Sequence, residues 1–353
     1  MNKIRKIMIM SGGTGGHVFS GLVIARYLID YYGWQVKWLG SFDGIEATLV
    51  PQNGIDIKYI KVRGIIGKKL IAKLITLLGV LKAIKRSRKI MKIWKPDIVL
   101  GMGGYVSGPS CLAAWIIGIP IVIHEQNVIA GFTNRILSRI ATKVLQAFPY
   151  SLPNAEVVGN PIRHEILSLP DPIKRLRCRH GPIRVLVFGG SQGSHILNKI
   201  IPEVMIKMFD KFIVLHQVGS KSLKKVRDIY SFGSIDNYEV VSFIDDMASA
   251  YAWADIVISR SGALTVSEIA AVGLAAVFVP FMHSDNHQYW NAMFLQKIGA
   301  AKIIKESECT IEQISEIFIT LNDRKVLLNM AQCAKKLCVT DAVKRIAQVL
   351  ISI

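Results

Sequence analysis

Two hydrophobic periods alternate along the chain. Short apolar runs bounded by glycine, proline or polar residues predict strands at 7–10, 36–39, 57–60, 98–100, 121–123, 143–145 and 156–158. Between them, apolar residues recurring at helical spacing predict helices at 21–32, 46–51, 70–92, 107–117 and 131–140. Such alternation predicts βαβ units and a parallel sheet. Gly159-Asn160-Pro161 closes the series, and 170–182, with Pro-Asp-Pro, basic residues and Gly-Pro, reads as a linker. The pattern then restarts, with strands at 185–188, 212–217, 239–243, 255–258 and 276–280 and helices between them. A short amphipathic helix is expected at 341–353. A chain of 353 residues has room for two cores. The expected class is therefore α/β, with two doubly wound parallel-sheet domains at 1–162 and 163–340.

The same signal occurs near the start of each half. Gly12-Gly13-Thr14-Gly15-Gly16-His17 follows the first strand, and Gly189-Gly190-Ser191-Gln192-Gly193-Ser194-His195 follows the strand at 185–188. Ligands bind at this position in doubly wound sheets, so the pair predicts two halves presenting loops to a cleft. Backbone N–H groups at a helix start suit an anion, while a tight strand–helix turn calls for glycine on conformational grounds alone. The first loop is no dinucleotide fingerprint: Val18 stands where a third glycine belongs, and no acidic residue ends the strand at 36–39. A nicotinamide dehydrogenase is thereby disfavoured. A third loop, Gly101-Met102-Gly103-Gly104-Tyr105-Val106-Ser107-Gly108-Pro109, follows the strand at 98–100, and a substrate carrying its own phosphates accounts for the surplus. His17 ends the first loop. It can take a proton from an attacking hydroxyl, or simply bond the loop backbone. His195 holds the matching place in the second loop.

The segment 255–280 reads strand, turn (Ser259-Arg260-Ser261-Gly262), helix 263–272, strand. Its helix N-terminus directs N–H groups and partial positive charge beyond the sheet edge. Glu268 can accept from a vicinal diol such as a ribose, although an isolated helix glutamate is ordinarily just exposed. No Asp-x-Asp occurs, so a departing diphosphate has to be stabilised by arginine, backbone N–H groups and helix dipoles rather than by a carboxylate-bound cation. Arg163 is the candidate. Neither metal nor other cofactor is expected.

Charge and composition narrow the partners. Hydrophobic residues make up 51% of the chain, which argues against disorder. Forty-four Lys and Arg against 25 Asp and Glu give a formal charge of +19, favouring anionic partners. The basic stretch 67–95 interleaves Leu74, Ile75, Leu78 and Leu81 with Lys82, Lys85 and their neighbours. That pattern predicts docking on an anionic membrane surface, against the plainer reading of a crossover helix covering the sheet. Interleaved aromatics are missing there, so nucleic acid is not expected. The longest apolar stretch, 111–123, is broken by Gly118 and Pro120 and is too short to span a bilayer. The basic-then-apolar start is too short for a signal-peptide core. Five scattered cysteines without a CxxC indicate neither a disulfide framework nor a zinc site, as in a reducing cytosol.

Seven segments together carry a family likeness: GGTGGHVF at 12–19, GMGGYVSGP at 101–109, HEQNVIAG at 124–131, GNPIR at 159–163, GGSQG at 189–193, FIDDM at 243–247 and RSGALTVSE at 260–268. They closely resemble the bacterial UDP-N-acetylglucosamine–lipid I N-acetylglucosaminyltransferases of peptidoglycan synthesis, the MurG family. The resemblance implies a GT-B fold, two Rossmann-like domains across a cleft, with the helix at 341–353 packing back on the first. It implies inverting, metal-independent transfer of N-acetylglucosamine from its UDP donor to the muramyl 4-hydroxyl of undecaprenyl-diphosphate-linked muramyl-pentapeptide, at the cytoplasmic face of the plasma membrane.

Carried over by position, the resemblance implies a donor site of Thr14, Gly15, Gly16, Asn127, Arg163, Ser191, Ile244, Ala263, Leu264, Thr265, Val266, Ser267, Glu268 and Gln288. Glu268 would hold the ribose, Ile244 the uracil through its backbone, Arg163 and Ser191 the diphosphate, and Gln288 the sugar. His17 becomes the general base, and Gly13, Gly103, Gly104 and Tyr105 take the acceptor diphosphate. The chain departs from the family at Ser20 and Ala275, where proline is usual, at His195, where arginine is expected, and at Met282, Ser284 and His287 before Gln288. Two rivals are another GT-B enzyme, such as a UDP-sugar 2-epimerase, and a non-catalytic nucleotide-sugar sensor at the membrane.

Overall fold

A computed structural model describes residues 4–13, 15–62, 70–233, 236–283 and 285–353, and of residues 70–77 the backbone alone. Thr14, Ser284 and the side chains of Leu74 and Ile75 thus lie outside the described residues. The chain divides into two compact units, residues 1–162 with 341–353, and residues 163–340.

In the first unit the described strands are β1 (Lys6–Met10), β2 (Gln35–Gly40), β3 (Asp56–Tyr59), β4 (Ile98–Gly101), β5 (Ile121–Glu125), β6 (Lys143–Gln146) and β7 (Glu156–Val157). They form one sheet in the order β3-β2-β1-β4-β5-β6-β7, every pair parallel. The central strands β4 and β5 are buried throughout, because helices cover both faces of a parallel sheet. Successive side chains serve opposite layers: Ile7 and Ile9 join one core, Met8 and Met10 the other. The closing helix Ala342–Ser352 contributes Ile346, Ala347 and Leu350 to the layer containing Ile7, Val18, Leu22 and Leu28.

The second unit has β8 (Ile183–Phe188), β9 (Phe212–Gln217), β10 (Tyr238–Val241), β11 (Ile256–Ser259), β12 (Ala275–Phe278) and β13 (Ala301–Ile303), in the parallel order β10-β9-β8-β11-β12-β13. In both units strand order reverses beside the first strand, between β1 and β4 and between β8 and β11. Loops leaving the carboxyl ends of these strand pairs turn to opposite faces and leave a crevice there.

Two expectations need correction. The first helix begins at Gly15 rather than residue 21, so Gly15, Gly16 and His17 form its first turn. Gly15 and Gly16, with poor helix propensity, hide that first turn in the sequence, and Gly21 further along passes the Trp38 ring so tightly that a Cβ would meet it at 2.5 Å. The segment 170–182 is no free linker. Asp171 caps the helix Pro172–Leu176, accepting from Ile173 N at 3.0 Å. Arg175 then donates to Tyr251 O, Val272 O and Gly273 O at 3.3, 2.9 and 2.6 Å. Arg179 donates to Trp253 O and Ala254 O and pairs with the fully buried Asp255. These guanidinium groups satisfy carbonyls orphaned at two helix ends, which docks the segment on the second unit. Among the described residues no helix is long and apolar enough to cross a membrane.

Candidate functional site

At the switch point of the first unit the loops after β1 and β4 meet backbone to backbone. A Cβ on Gly104, whose φ is +78°, would overlap the carbonyl oxygen of Gly12. Met102 N donates to Met10 O at 2.9 Å, and the Ser107 hydroxyl stands 2.7 Å from the same oxygen and 2.6 Å from Gly103 O. Beneath the first loop lies the fully buried Glu46, which accepts from Gly13 N at 3.3 Å, Ser41 N at 2.9 Å and Ser41 Oγ at 2.6 Å. The Tyr105 phenol lies over Gly13 and the His17 imidazole over Gly103, each 3.0 Å from where a Cβ would stand. The candidate base and the candidate acceptor-diphosphate residues are therefore neighbours, drawn together by positions where only glycine fits.

The end of β5 supports them from the side. His124 is fully buried, with Nε2 2.9 Å from Gly159 O and Nδ1 3.1 Å from Gln126 Nε2. A carbonyl can only accept, so Nε2 carries the proton and Nδ1 accepts from the amide. Burial, with the charge of nearby His17 in the same direction, pushes its pKa down to about 4 and keeps it neutral. Glu125 accepts from Asn127 N, Asn127 Nδ2, Gly131 N and Asn134 Nδ2 at 2.9 to 3.1 Å. One buried carboxylate thus shapes the loop on which Asn127 sits.

In the second unit the loop after β8 turns at Gly190 and Gly193, both at positive φ, with Ser191 exposed between them. Gly193 packs on the Val218 carbonyl and Gly219 on the Gln192 carbonyl, so a Cβ on either would overlap backbone. His195 is exposed at the first turn of the helix His195–Lys207. Ile244 lies half-buried in the loop after β10.

The helix after β11 runs Ala263–Val272, as the sequence pattern indicates. Leu264, Thr265 and Ser267 are partly exposed along it, whereas Ala263 and Val266 are buried, leaving backbone as their contribution. Glu268 is 5% exposed, and both its oxygens are engaged: Arg163 Nη2 donates to Oε1 and Tyr251 OH to Oε2, each at 3.1 Å. Burial raises its carboxyl above the ordinary range, and these two partners offset only part of that rise. Arg163 and Glu268, expected on the diphosphate and the ribose respectively, form one pair here.

Gln288 opens the helix His287–Gln296 with its Oε1 held by Phe281 N at 2.9 Å and Ser261 N at 3.3 Å, which fixes its amide as the outward donor. Arg260 is committed internally, bidentate to Glu306 at 2.9 and 3.0 Å and bonded to Val279 O and Pro280 O. The sequence reading did not single out Glu46, Glu125, Tyr251 or Glu306. Glu125 lies inside the segment 124–131 that carries the family likeness, and Gly40 and Gly44 leave no room for a Cβ beside the Glu46 side chain.

Two family models match the chain: the glycosyltransferase family 28 N-terminal domain over residues 7–146 and the glycosyltransferase family 28 C-terminal domain over residues 184–346. The UDP-N-acetylglucosamine–N-acetylmuramyl-(pentapeptide) pyrophosphoryl-undecaprenol N-acetylglucosamine transferase of Yersinia enterocolitica is 54% identical over 346 residues, covering 98% of this chain and 97% of that one. The crystal structure of Acinetobacter baumannii MurG superposes with a TM-score of 0.86 at 39% identity, covering 99% and 100% of the two chains. A UDP-GlcNAc 2-epimerase from Neisseria meningitidis superposes with a TM-score of 0.68 at 14% identity over 99% of this chain and 100% of that one, which is a likeness of fold alone.

Proposed function

Because the chain belongs to glycosyltransferase family 28, we propose that it moves N-acetylglucosamine from UDP-N-acetylglucosamine to the muramyl 4-hydroxyl of undecaprenyl-diphosphate-linked muramyl-pentapeptide. The observation that carries this reading is full-length similarity at 54% identity to a transferase named for that reaction. The loop geometry supports a division of labour. His17, lying over Gly103, takes the proton of the acceptor hydroxyl as its oxygen attacks the anomeric carbon. The bond from that carbon to the β-phosphate oxygen breaks, and UDP leaves with the electron pair. Gly103 and Gly104 hold the acceptor diphosphate through backbone N–H groups and Tyr105 through its phenol, while Gly13, its N–H taken by Glu46, shapes the loop beside them. Arg163, the exposed Ser191 and the start of the helix Ala263–Val272 stabilise the departing diphosphate without a metal. Glu268, already fixed by Arg163 and Tyr251, keeps one lone pair on each oxygen for the ribose hydroxyls. The Gln288 amide donates to the sugar, and Asn127, Gly15, Gly16 and the Ile244 backbone complete the donor set. Thr14 belongs to that set by position and lies outside the described residues.

The acceptor's lipid also gives the basic helix a role. Leu78 and Leu81 are each 55% exposed, and Lys82 and Lys85 beside them are exposed. The helices Leu70–Trp94 and Gly104–Ile116 both return from the carboxyl to the amino edge of the sheet, so they run parallel. The Ser87–Ser110 hydroxyl contact at 3.2 Å sets their register, which brings Leu81 level with Gly104. An apolar and cationic surface at that height supports peripheral docking on an anionic membrane beside the acceptor loop. UDP release is the test. UDP should appear only when donor and lipid acceptor are both supplied. Turnover of the donor alone would point to an epimerase, and donor binding without UDP release to a sensor. Vesicle co-sedimentation should weaken with salt and disappear when Leu78 and Leu81 are changed to serine.

A further inference from the structure

The loop leading into Gln288 carries a cluster that the transfer reaction does not use. His283, Asp285 and His287 alternate along it, and each offers one ligand atom within 4.8 Å of the others. Asp285 Oδ1 stands 3.0 Å from His283 Nδ1 and 2.6 Å from His287 Nδ1. All three side chains reach solvent, at 50%, 42% and 27% exposure for His283, Asp285 and His287. They are drawn into one knot by the turn at Asn286, with φ +50°, at the start of the helix His287–Gln296.

Two imidazoles and one carboxylate make a borderline donor set, suited to Zn²⁺ and poorly suited to Mg²⁺ or Ca²⁺. Zinc with arms of about 2.0 Å sets neighbouring tetrahedral ligands about 3.3 Å apart. Donor atoms now 2.6 and 3.0 Å from Asp285 Oδ1 therefore need to spread by less than an ångström. With three protein ligands and a fourth position open to water, such a site exchanges its ion rather than burying it. Because His287 precedes Gln288, an ion held here also pins the turn that presents the Gln288 amide.

We infer that His283, Asp285 and His287 form a labile binding site for a zinc-class divalent cation on the Gln288 loop, separate from the chemistry of transfer. Calorimetric titration of the full chain with Zn²⁺, without donor or acceptor, tests this in two buffers of different protonation enthalpy. One site per chain is expected, with the same stoichiometry in both buffers. His287→Gln and Asp285→Asn should each weaken that site by tenfold or more. Thermal melts of the metal-free variants should match the parent, because both side chains reach solvent. The site is refuted if both variants bind Zn²⁺ as the parent does, since binding then resides on the other histidines and cysteines. The titration uses no substrate, so its failure leaves the transferase reading untouched.

Discussion

In the first unit the loop after β1 is closed from beneath by a carboxylate: Glu46 takes the N–H groups of Gly13 and Ser41 and the Ser41 hydroxyl. In the second unit the loop after β8 is closed by backbone on backbone, Gly193 against Val218 and Gly219 against Gln192. Its buried carboxylate, Glu268, sits in the helix after β11, the strand beside β8, and is held by the side chains of Arg163 and Tyr251. The strand orders around the two switch points correspond. The first loop has spent part of its anion-binding capacity on its own protein and presents side chains, His17 and Tyr105, above the glycines. The second presents the exposed Ser191 on its loop, and its carboxylate, Glu268, is engaged by side chains rather than by the loop. On the proposed reading, one topology serves proton transfer in one unit and ligand holding in the other, according to where the acid is placed.

This contrast can be broken in four ways. His17→Ala should lower kcat by about 10²–10⁴-fold, the usual range for a lost general base, with the donor KM nearly unchanged. A normal kcat with saturating acceptor would end the assignment of chemistry to the first unit. Glu46→Ala strands the two buried donors of Ser41, each costing about 1–3 kcal/mol, and the part-buried Gly13 N–H. Urea unfolding followed by tryptophan fluorescence should show a loss of about 3 kcal/mol, and an unchanged midpoint would remove the internal-acid reading.

The third test is acid. Each unit buries one neutral histidine, His124 at about 4 and His216 at about 3, both depressed by burial. The unfolded chain takes up these protons near pH 6.5 while the folded chain does not, so stability is full above that pH and falls as pH drops toward 4. By pH 5 the cost is about 2 kcal/mol per histidine. His124→Gln should flatten the pH dependence of the first unit and leave that of the second. The smallest effect is expected for Glu268→Gln: about a tenfold rise in donor KM with little change in kcat, read from initial rates. If kcat falls and KM stays, holding and chemistry are not divided as drawn.

What a single sequence discloses here follows the range of each interaction. The strands announce themselves because both faces of a parallel sheet are apolar, and the helix Ala263–Val272 because Gly262 and Gly273 bracket it. The glycine loops are equally local. Partners distant along the chain leave no such mark. Gly13 meets Glu46 across 33 residues, and Arg163 meets Glu268 across 105. Nothing around Arg175 foretells that its guanidinium closes carbonyls 76 to 98 residues away, so a proline-bounded basic stretch reads as linker. The proposed donor set comes from the resemblance alone. That Val266 is buried and that Arg260 is bound to Glu306 required packing to be known.

The helix Ala342–Ser352 has a consequence for biosynthesis. Ile346, Ala347 and Leu350 fill the same core layer as Val18, Leu22 and Leu28, and Arg5 donates to Ile351 O at 2.8 Å. The first unit is therefore completed only after the second has been translated. Throughout translation of the second unit its apolar layer stays open at one side, until the helix Ala342–Ser352 is made and covers it.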